Sequence, residues 1–137
     1  MPARGRKIRV MIADDHAILR KGILALLTES GGFEIVAEEG DGQQAVLRAE
    51  ELRPDVILMD LLMPVMDGIE ATRRITSHRP GAHILVLTSF AADSKVFPAI
   101  KAGATGYLLK DSSPEDLVRA IRQVHRGEPS LHPAIAR

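Results

Sequence analysis

The stretch Val56-Ile57-Leu58-Met59-Asp60 decides the fold, because four apolar residues in a row end in an aspartate. An uninterrupted apolar run of this length is typical of a strand that is covered on both faces, as in a parallel sheet. Similar runs, rich in Val, Ile and Leu, occur at residues 8–13, 34–38, 84–87 and 106–109. The sequence therefore predicts five short strands.

Segments with helical periodicity separate these runs. They cover about residues 19–27, 43–52, 68–77, 94–101 and 114–126. The last has a strong start signal, since Ser113 can cap the helix and Pro114 suits its first position. Five consecutive βα units predict an α/β fold, a doubly wound (βα)5 parallel sheet with helices on both faces. The usual strand order is 2-1-3-4-5, and ligands of such sheets bind at the carboxyl ends of the strands.

Polar residues follow four of the five predicted strands. The first strand ends in Asp14 and Asp15, the third in Asp60, the fourth in Thr88 and the fifth in Lys110. Parallel strands place these ends at one edge of the sheet, so three carboxylates, a hydroxyl and an ammonium should converge there. Singly, such residues are more often helix caps or solvated groups; their convergence favours a functional site.

Crowded carboxylates repel one another unless a cation binds them or their pKa values rise. Mg²⁺ takes oxygen ligands and one or two carboxylates, so it is the expected cofactor. Asp60 lies on an inner strand between the acidic pair and Lys110, which makes it the best-placed nucleophile for attack on phosphorus. Lys110 and Thr88 would contact the oxygens of the transferred group.

Composition narrows the function classes. The chain has 137 residues, a formal charge of zero, no cysteine and four aromatic residues. A neutral chain is a poor nucleic-acid binder by itself, and the absence of cysteine excludes disulfides and thiolate metal sites. No apolar run approaches the ~20 residues that span a bilayer. We expect one cytoplasmic domain that does not contact a membrane.

The motifs resemble the receiver domain of two-component response regulators, over about residues 7–127. The resemblance depends on four motifs in order: Asp14-Asp15; Asp60-Leu61-Leu62-Met63-Pro64-Val65-Met66-Asp67-Gly68; Leu87-Thr88-Ser89; and Ala102-Gly103-Ala104-Thr105-Gly106-Tyr107-Leu108-Leu109-Lys110. It implies the flavodoxin-like receiver fold. It also implies that Asp60 is the phosphoacceptor, that Asp15 binds Mg²⁺ directly and Asp14 through water, and that the Leu62 backbone carbonyl is a further ligand.

The resemblance also implies a switch. Thr88 would move toward the phosphoryl group, Tyr107 would turn inward with it, and Lys110 would bind the phosphate. The implied partner is a sensor histidine kinase, and the domain is expected to promote only its own phosphorylation and slow dephosphorylation rather than act as an enzyme.

Two departures from the common pattern, Lys110–Asp111 and Thr105–Gly106, look like the NarL/FixJ (LuxR-type) branch. That branch usually continues into a helix-turn-helix DNA-binding domain. We expect residues 1–127 to form the receiver and residues 128–137 to begin a linker to an output domain absent from this chain. DNA would be contacted only through that domain, and the resemblance implies a homodimer on phosphorylation.

Three rival functions stay open at this stage. An aspartate-nucleophile phosphatase would need a second acid two residues after Asp60, where this chain has Leu62. A flavin module would need a phosphate loop after the first strand, where two acids stand instead. An inactive domain of the same fold would commonly lack members of the acidic set, all of which are present.

Two further expectations concern dynamics. Pro98, beyond the first turn of a helix starting near Ser94, would cost about 3 kcal/mol and leave that helix short or kinked. Leu62 and Phe90 cannot orient an attacking water, which predicts slow loss of the phosphoryl group. The histidines are scattered, and His16, although adjacent to the acidic pair, is not assigned to the site.

Overall fold

The structure is a computed structural model that describes residues 6–89 and 96–131, with only the backbone of Leu131. Strands and helices alternate along the chain. The strands are β1 (Ile8–Ala13), β2 (Phe33–Glu39), β3 (Val56–Met59), β4 (His83–Thr88), β5 (Gly106–Leu109) and β6 (Ser130–Leu131). The helices are α1 (Ala17–Ser30), α2 (Gly42–Leu52), α3 (Gly68–His78), α4 (Val96–Lys101) and α5 (Pro114–His125).

The strands form one parallel sheet in the order β2-β1-β3-β4-β5-β6. The five-strand order predicted from the sequence is confirmed. β6 extends it by two residues from the segment that sequence analysis assigned to the linker, with Ser130 paired to Gly106. Two residues after a proline are too short to produce a periodic pattern, which is why this strand was not predicted.

Alternate residues of each strand pack on opposite faces of the sheet. In β1, Val10 and Ile12 belong to a core shared with α1 and α5, whereas Met11 and Ala13 belong to a core shared with α2 and α3. A third, smaller cluster joins Leu61, Val86, Ala99 and Tyr107 beneath α4. Cover on both faces explains why the strands are nearly continuous in apolar character.

The helix boundaries lie close to their sequence signals. Ser113 caps α5 as predicted, and its hydroxyl accepts a hydrogen bond from the Asp116 backbone N–H at 3.1 Å. α4 is short, six residues, and Pro98 is its third residue counted from Val96. An N–H at that position has no intrahelical partner. The expected start at Ser94 lies outside the described residues, so the predicted cost of Pro98 stays a prediction.

Within the described ranges, no helix combines the length and the apolar character needed to cross a membrane.

Candidate functional site

Asp14 and Asp60 follow neighbouring strands at the carboxyl edge of the sheet. The registers of β1 and β3 place Ala13 beside Met59, and the Asp60 backbone N–H donates to the Ala13 carbonyl at 2.9 Å. Both aspartates are buried, with only 2% and 3% of their surface exposed. Asp15, one residue further along, is exposed. The fold therefore places two buried carboxylates side by side, as the strand pattern predicted.

Lys110 reaches both buried carboxylates. Its Nζ lies 3.0 Å from Asp14 Oδ2 and 3.2 Å from Asp60 Oδ2. Its backbone N–H donates to the Thr88 carbonyl at 2.7 Å, which fixes the end of β5 beside the end of β4. The sequence prediction that Lys110 converges with the acids is confirmed.

One ammonium does not neutralise this cluster. Burial, and then the nearby Asp14 carboxylate, raises the pKa of Asp60 despite the opposing effect of Lys110. Burial alone would lower the pKa of Lys110, but its close contacts with the Asp14 and Asp60 carboxylates outweigh burial and raise that pKa. Both directions follow from two buried carboxylates that face one cation. The two buried carboxylates therefore carry more negative charge than Lys110 alone neutralises.

The geometry of Asp14 Oδ2 and Asp60 Oδ2 also indicates that the two carboxylates are incompletely neutralised. They are buried oxygens in ion-pair range of Lys110, yet neither accepts a well-directed hydrogen bond. Buried carboxylate oxygens that lack a hydrogen bond are costly in a protein interior. A hard divalent cation would satisfy them, so the residues present fit Mg²⁺.

His16 contacts the acidic pair, although its sequence pattern did not assign it to the site. Its Nδ1 lies 2.9 Å from Asp14 Oδ1 and 3.3 Å from Asp15 Oδ1, and 3.4 Å from Lys110 Nζ. Within the described residues, ligand atoms of Asp14, Asp15, His16 and Asp60 all lie within 4.8 Å of one another. Adjacency to the acidic pair was the available signal, and scattered histidines elsewhere obscured it.

Thr88 and Tyr107 lie on the neighbouring strands β4 and β5, and Tyr107 packs against Ala99 of α4. Thr88 ends β4 and is 1% exposed, and Tyr107 is fully buried opposite Val86. Val86 and Thr88 are two residues apart and so share one face of the sheet. Tyr107 thus occupies the inward position on the same side as the Thr88 hydroxyl.

The loop after β3 is held by two close backbone approaches. The Gly68 N–H donates to the Leu61 carbonyl at 2.8 Å, and a Cβ on Gly68 would lie 2.0 Å from the Asp60 carbonyl oxygen. The Gly42 N–H donates to the Met66 carbonyl at 3.0 Å, where a Cβ would approach to 2.1 Å. Only glycine fits at such distances, so this packing positions the backbone that carries Asp60.

Val65 gives the same loop a strained turn. Its φ is 68°, and the Met66 N–H donates to the Pro64 carbonyl at 2.7 Å, which closes a γ-turn. A β-branched residue seldom adopts positive φ.

Leu62 follows Leu61 in the same loop, and its side chain is half exposed. The Leu62 backbone N–H lies 3.4 Å from Asp60 Oδ1.

Comparison with known proteins gives the family. Residues 10–122 match the response regulator receiver domain. The transcriptional regulatory protein LiaR of Bacillus subtilis is 48% identical over 94% of this chain, and the response regulator VraR of Staphylococcus aureus is 43% identical over 93%. The chain spans 61% of the length of each of these relatives.

Solved structures agree. A LuxR-family two-component response regulator from Aurantimonas sp. SI85-9A1 superposes with a TM-score of 0.90 and 38% identity, over 95% of this chain and 93% of that one. The receiver domain of the putative response regulator NarL from Mycobacterium tuberculosis gives 0.85 and 34%, over 89% and 98%. The chain therefore belongs to the response regulator receiver family, in its NarL/FixJ (LuxR-type) branch.

Proposed function

We propose that this receiver accepts a phosphoryl group on Asp60 in a Mg²⁺-dependent reaction and changes conformation as a result. The observation that carries the proposal is the Asp60 carboxylate, buried between Asp14 and Lys110 at the carboxyl edge of the sheet. A carboxylate in that place is a nucleophile beside a fixed cation. A family member with its acids and lysine intact has the groups that this chemistry needs.

In the proposed step, an Asp60 oxygen attacks phosphorus and forms a P–O bond. The bond from phosphorus to the donor breaks at the same time, and its electron pair leaves with the donor, an imidazole or a carboxylate. Lys110 is already ion-paired to Asp60 and would meet the oxygens of the transferred group. Thr88, buried at the end of the neighbouring strand, would supply a hydroxyl to them.

Asp14, Asp15 and Asp60, with the Leu62 backbone carbonyl, would hold the Mg²⁺ ion. When bound, the ion would supply positive charge next to the phosphoryl oxygens. The unsatisfied buried oxygens of Asp14 and Asp60 support this assignment. Tyr107 packs under α4, and we propose that it transmits a movement of Thr88 to that helix.

The partners follow from the same proposal. The donor is a phosphorylated histidine of a sensor kinase in the cytoplasm, and the product acts as a homodimer. The relative LiaR is named a transcriptional regulatory protein and is longer than this chain. We propose that residues 128–137 lead toward a helix-turn-helix output domain, through which DNA is bound.

The central test is the mass of the intact chain after incubation with acetyl phosphate and Mg²⁺. We expect one added phosphoryl group, and none in Asp60→Asn. Asp116→Asn is the matched control, since Asp116 is a carboxylate on α5 outside the site. Equal phosphorylation of wild type and Asp60→Asn would refute the assignment of Asp60.

A second measurement separates a receiver from a phosphatase of similar fold. We expect no turnover of a small phosphate ester, because Leu62 offers no acid two residues after Asp60. The same side chain cannot orient water, so the acyl phosphate should decay slowly; the second residue of that argument, Phe90, lies outside the described residues. Loss within seconds would contradict the predicted lifetime while leaving Asp60 as the acceptor.

A further inference from the structure

Arg20 on α1 holds the backbone between the two aspartates that follow β1. Its guanidinium donates a hydrogen bond through Nη1 to the backbone carbonyl of Asp14. The Nε atom of the same group is buried and lies 3.6 Å from Glu38 Oε1, near the end of β2. One side chain therefore joins α1 to the ends of two neighbouring strands.

The backbone of Asp14 is held from both sides. Its N–H donates to the Glu39 carbonyl at 2.9 Å, and its carbonyl accepts from Arg20. β1 ends at Ala13, so Asp14 is the first residue beyond the strand. The guanidinium thus supplies the donor that a neighbouring strand supplies inside a sheet.

This contact affects Asp15 as well as Asp14. The Asp14 carbonyl and the Asp15 N–H belong to one peptide group, and that group is planar. When the carbonyl is fixed, the rotation of the peptide plane is fixed too, and with it the direction in which the Asp15 side chain leaves the backbone. Asp15 is exposed, so packing adds little to hold it. The orientation of the peptide group consequently matters most for this residue.

We propose that Arg20 is a positioning residue for the metal site, and that it holds the Asp15 carboxylate in place by fixing the Asp14–Asp15 peptide. The inference rests on the metal-dependent function proposed above and deepens it. Arg20 does not contact the ion, and as a cation near the site it opposes metal binding by charge. Its positioning effect and its electrostatic effect on metal affinity therefore have opposite signs.

These opposite signs allow the two effects to be separated by the affinity for Mg²⁺ alone, measured by calorimetry with no phosphoryl donor present. Arg20→Met keeps a long apolar stem and a good helix propensity but removes the charge and the donors. Loss of a cation alone would strengthen Mg²⁺ binding. We expect Arg20→Met instead to bind Mg²⁺ about tenfold more weakly, as when a group that orients a metal ligand is removed.

Arg48→Met is the matched control. Arg48, on α2, lies 3.1 Å from Glu39, the acid that follows Glu38 in β2, and 3.1 Å from Glu51. This variant removes the same charge near the same end of β2 and leaves the contact between Arg20 and the Asp14 carbonyl in place. We expect it to bind Mg²⁺ at least as tightly as the wild type.

Backbone ¹⁵N relaxation of the metal-free protein gives a second readout. In Arg20→Met, the amide order parameters of Asp15 and His16 should fall, while those of β1 should stay at the wild-type values. A general loss of stability would not produce this local pattern.

Unchanged or tighter Mg²⁺ binding by Arg20→Met, or an equal loss in Arg48→Met, would overturn the inference and leave the proposed function standing. Unchanged order parameters at Asp15 in Arg20→Met would overturn it as well. No binding of Mg²⁺ to the wild type would overturn both the inference and the metal dependence of the proposed function.

Discussion

The carboxyl edge of the sheet has two halves that are built differently. The acidic half comprises the ends of β1 and β3 and the loop after β3. There the backbones of Gly42 and Gly68 lie so close to the carbonyl groups of Met66 and Asp60 that a Cβ would not fit. The hydroxyl half comprises Thr88 at the end of β4 and Tyr107 in β5, and Tyr107 packs against α4. α4 has six residues and only Ala99 is buried in it, while Phe97 is 75% exposed.

This difference suits two tasks. A site that binds several charges needs its groups fixed before the ligand arrives. An element that responds to binding must be attached through few contacts, so that a small free energy can move it. The acidic half has the first construction and α4 has the second. In the proposed function, this construction would hold the charges rigidly and let α4 change position nearby.

The largest effect should come from crowding the acidic half. Gly68→Ala places a methyl group 2.0 Å from the Asp60 carbonyl oxygen, so the loop or the start of α3 must shift. We expect a loss of about 3 kcal/mol in the free energy of unfolding, in the range of strong overpacking. Urea unfolding measures it, and phosphorylation of the folded fraction should fall as Asp60 is displaced.

Gly22→Ala is the matched control, because nothing lies within 4 Å of its added methyl group in the middle of α1. Alanine favours helix over glycine, so this variant should gain up to about 1 kcal/mol. If both variants had similar stability, the backbone packing around Gly68 would not be the constraint described here.

A smaller effect of opposite sign should follow when charge is removed from the same half. The pKa of Asp60 is raised in the folded state, by burial and then by Asp14, above 3.8. The folded state therefore binds more protons than the unfolded state between these two pKa values, and stability falls as pH rises through them. Without divalent metal, Asp60→Asn should be about 1–2 kcal/mol more stable at pH 7.

The pH profile distinguishes this cause from a packing effect. The gain in Asp60→Asn should grow as pH rises from about 4 and level off above the folded pKa. Asp116→Asn, which changes a half-exposed carboxylate paired with Arg119 on the surface of α5, should show no comparable gain. A stabilisation of Asp60→Asn that did not vary with pH would show that its origin is not the buried charge.

Much of the acidic half could be predicted from the sequence. The continuous apolar run before Asp60 predicts a covered parallel strand, and strand order then brings Asp14, Asp60 and Lys110 to one edge. The result is independent of side-chain detail because it follows from the pleat and the direction of the strands. The orientation of the His16 ring is different, since it depends on rotamers that no pattern encodes.

Two other features could not be predicted from the sequence, for physical reasons. β6 has two residues, and its formation depends on the free edge of β5 rather than on a local pattern. Gly42 and Gly68 each lie against the backbone of a residue outside their own local segment. The local sequence can therefore indicate a turn glycine but not the backbone that packs against it. The assignments of Leu62, Thr88 and Tyr107 remain predictions from the resemblance.

The smallest effect tests the attachment of α4. The Thr76 hydroxyl lies 2.6 Å from the Ala102 carbonyl just beyond α4 and 2.9 Å from the Thr72 carbonyl in its own helix. One hydroxyl proton serves one of these acceptors at a time. Thr76→Val keeps the shape but removes the donor, so we expect a loss of about 1 kcal/mol.

Ser77→Ala is the control, because Ser77 is exposed and, among the residues that the structure describes, its hydroxyl donates to the Arg74 carbonyl of the same helix. It should change stability by less than about 0.5 kcal/mol. Hydrogen exchange then locates the effect: in Thr76→Val, amide protection should fall in α4 and hold in β1 and β3. If protection fell equally in both halves, α4 would be unfolding with the whole domain, and the two halves of the edge would not differ in the way that their packing indicates.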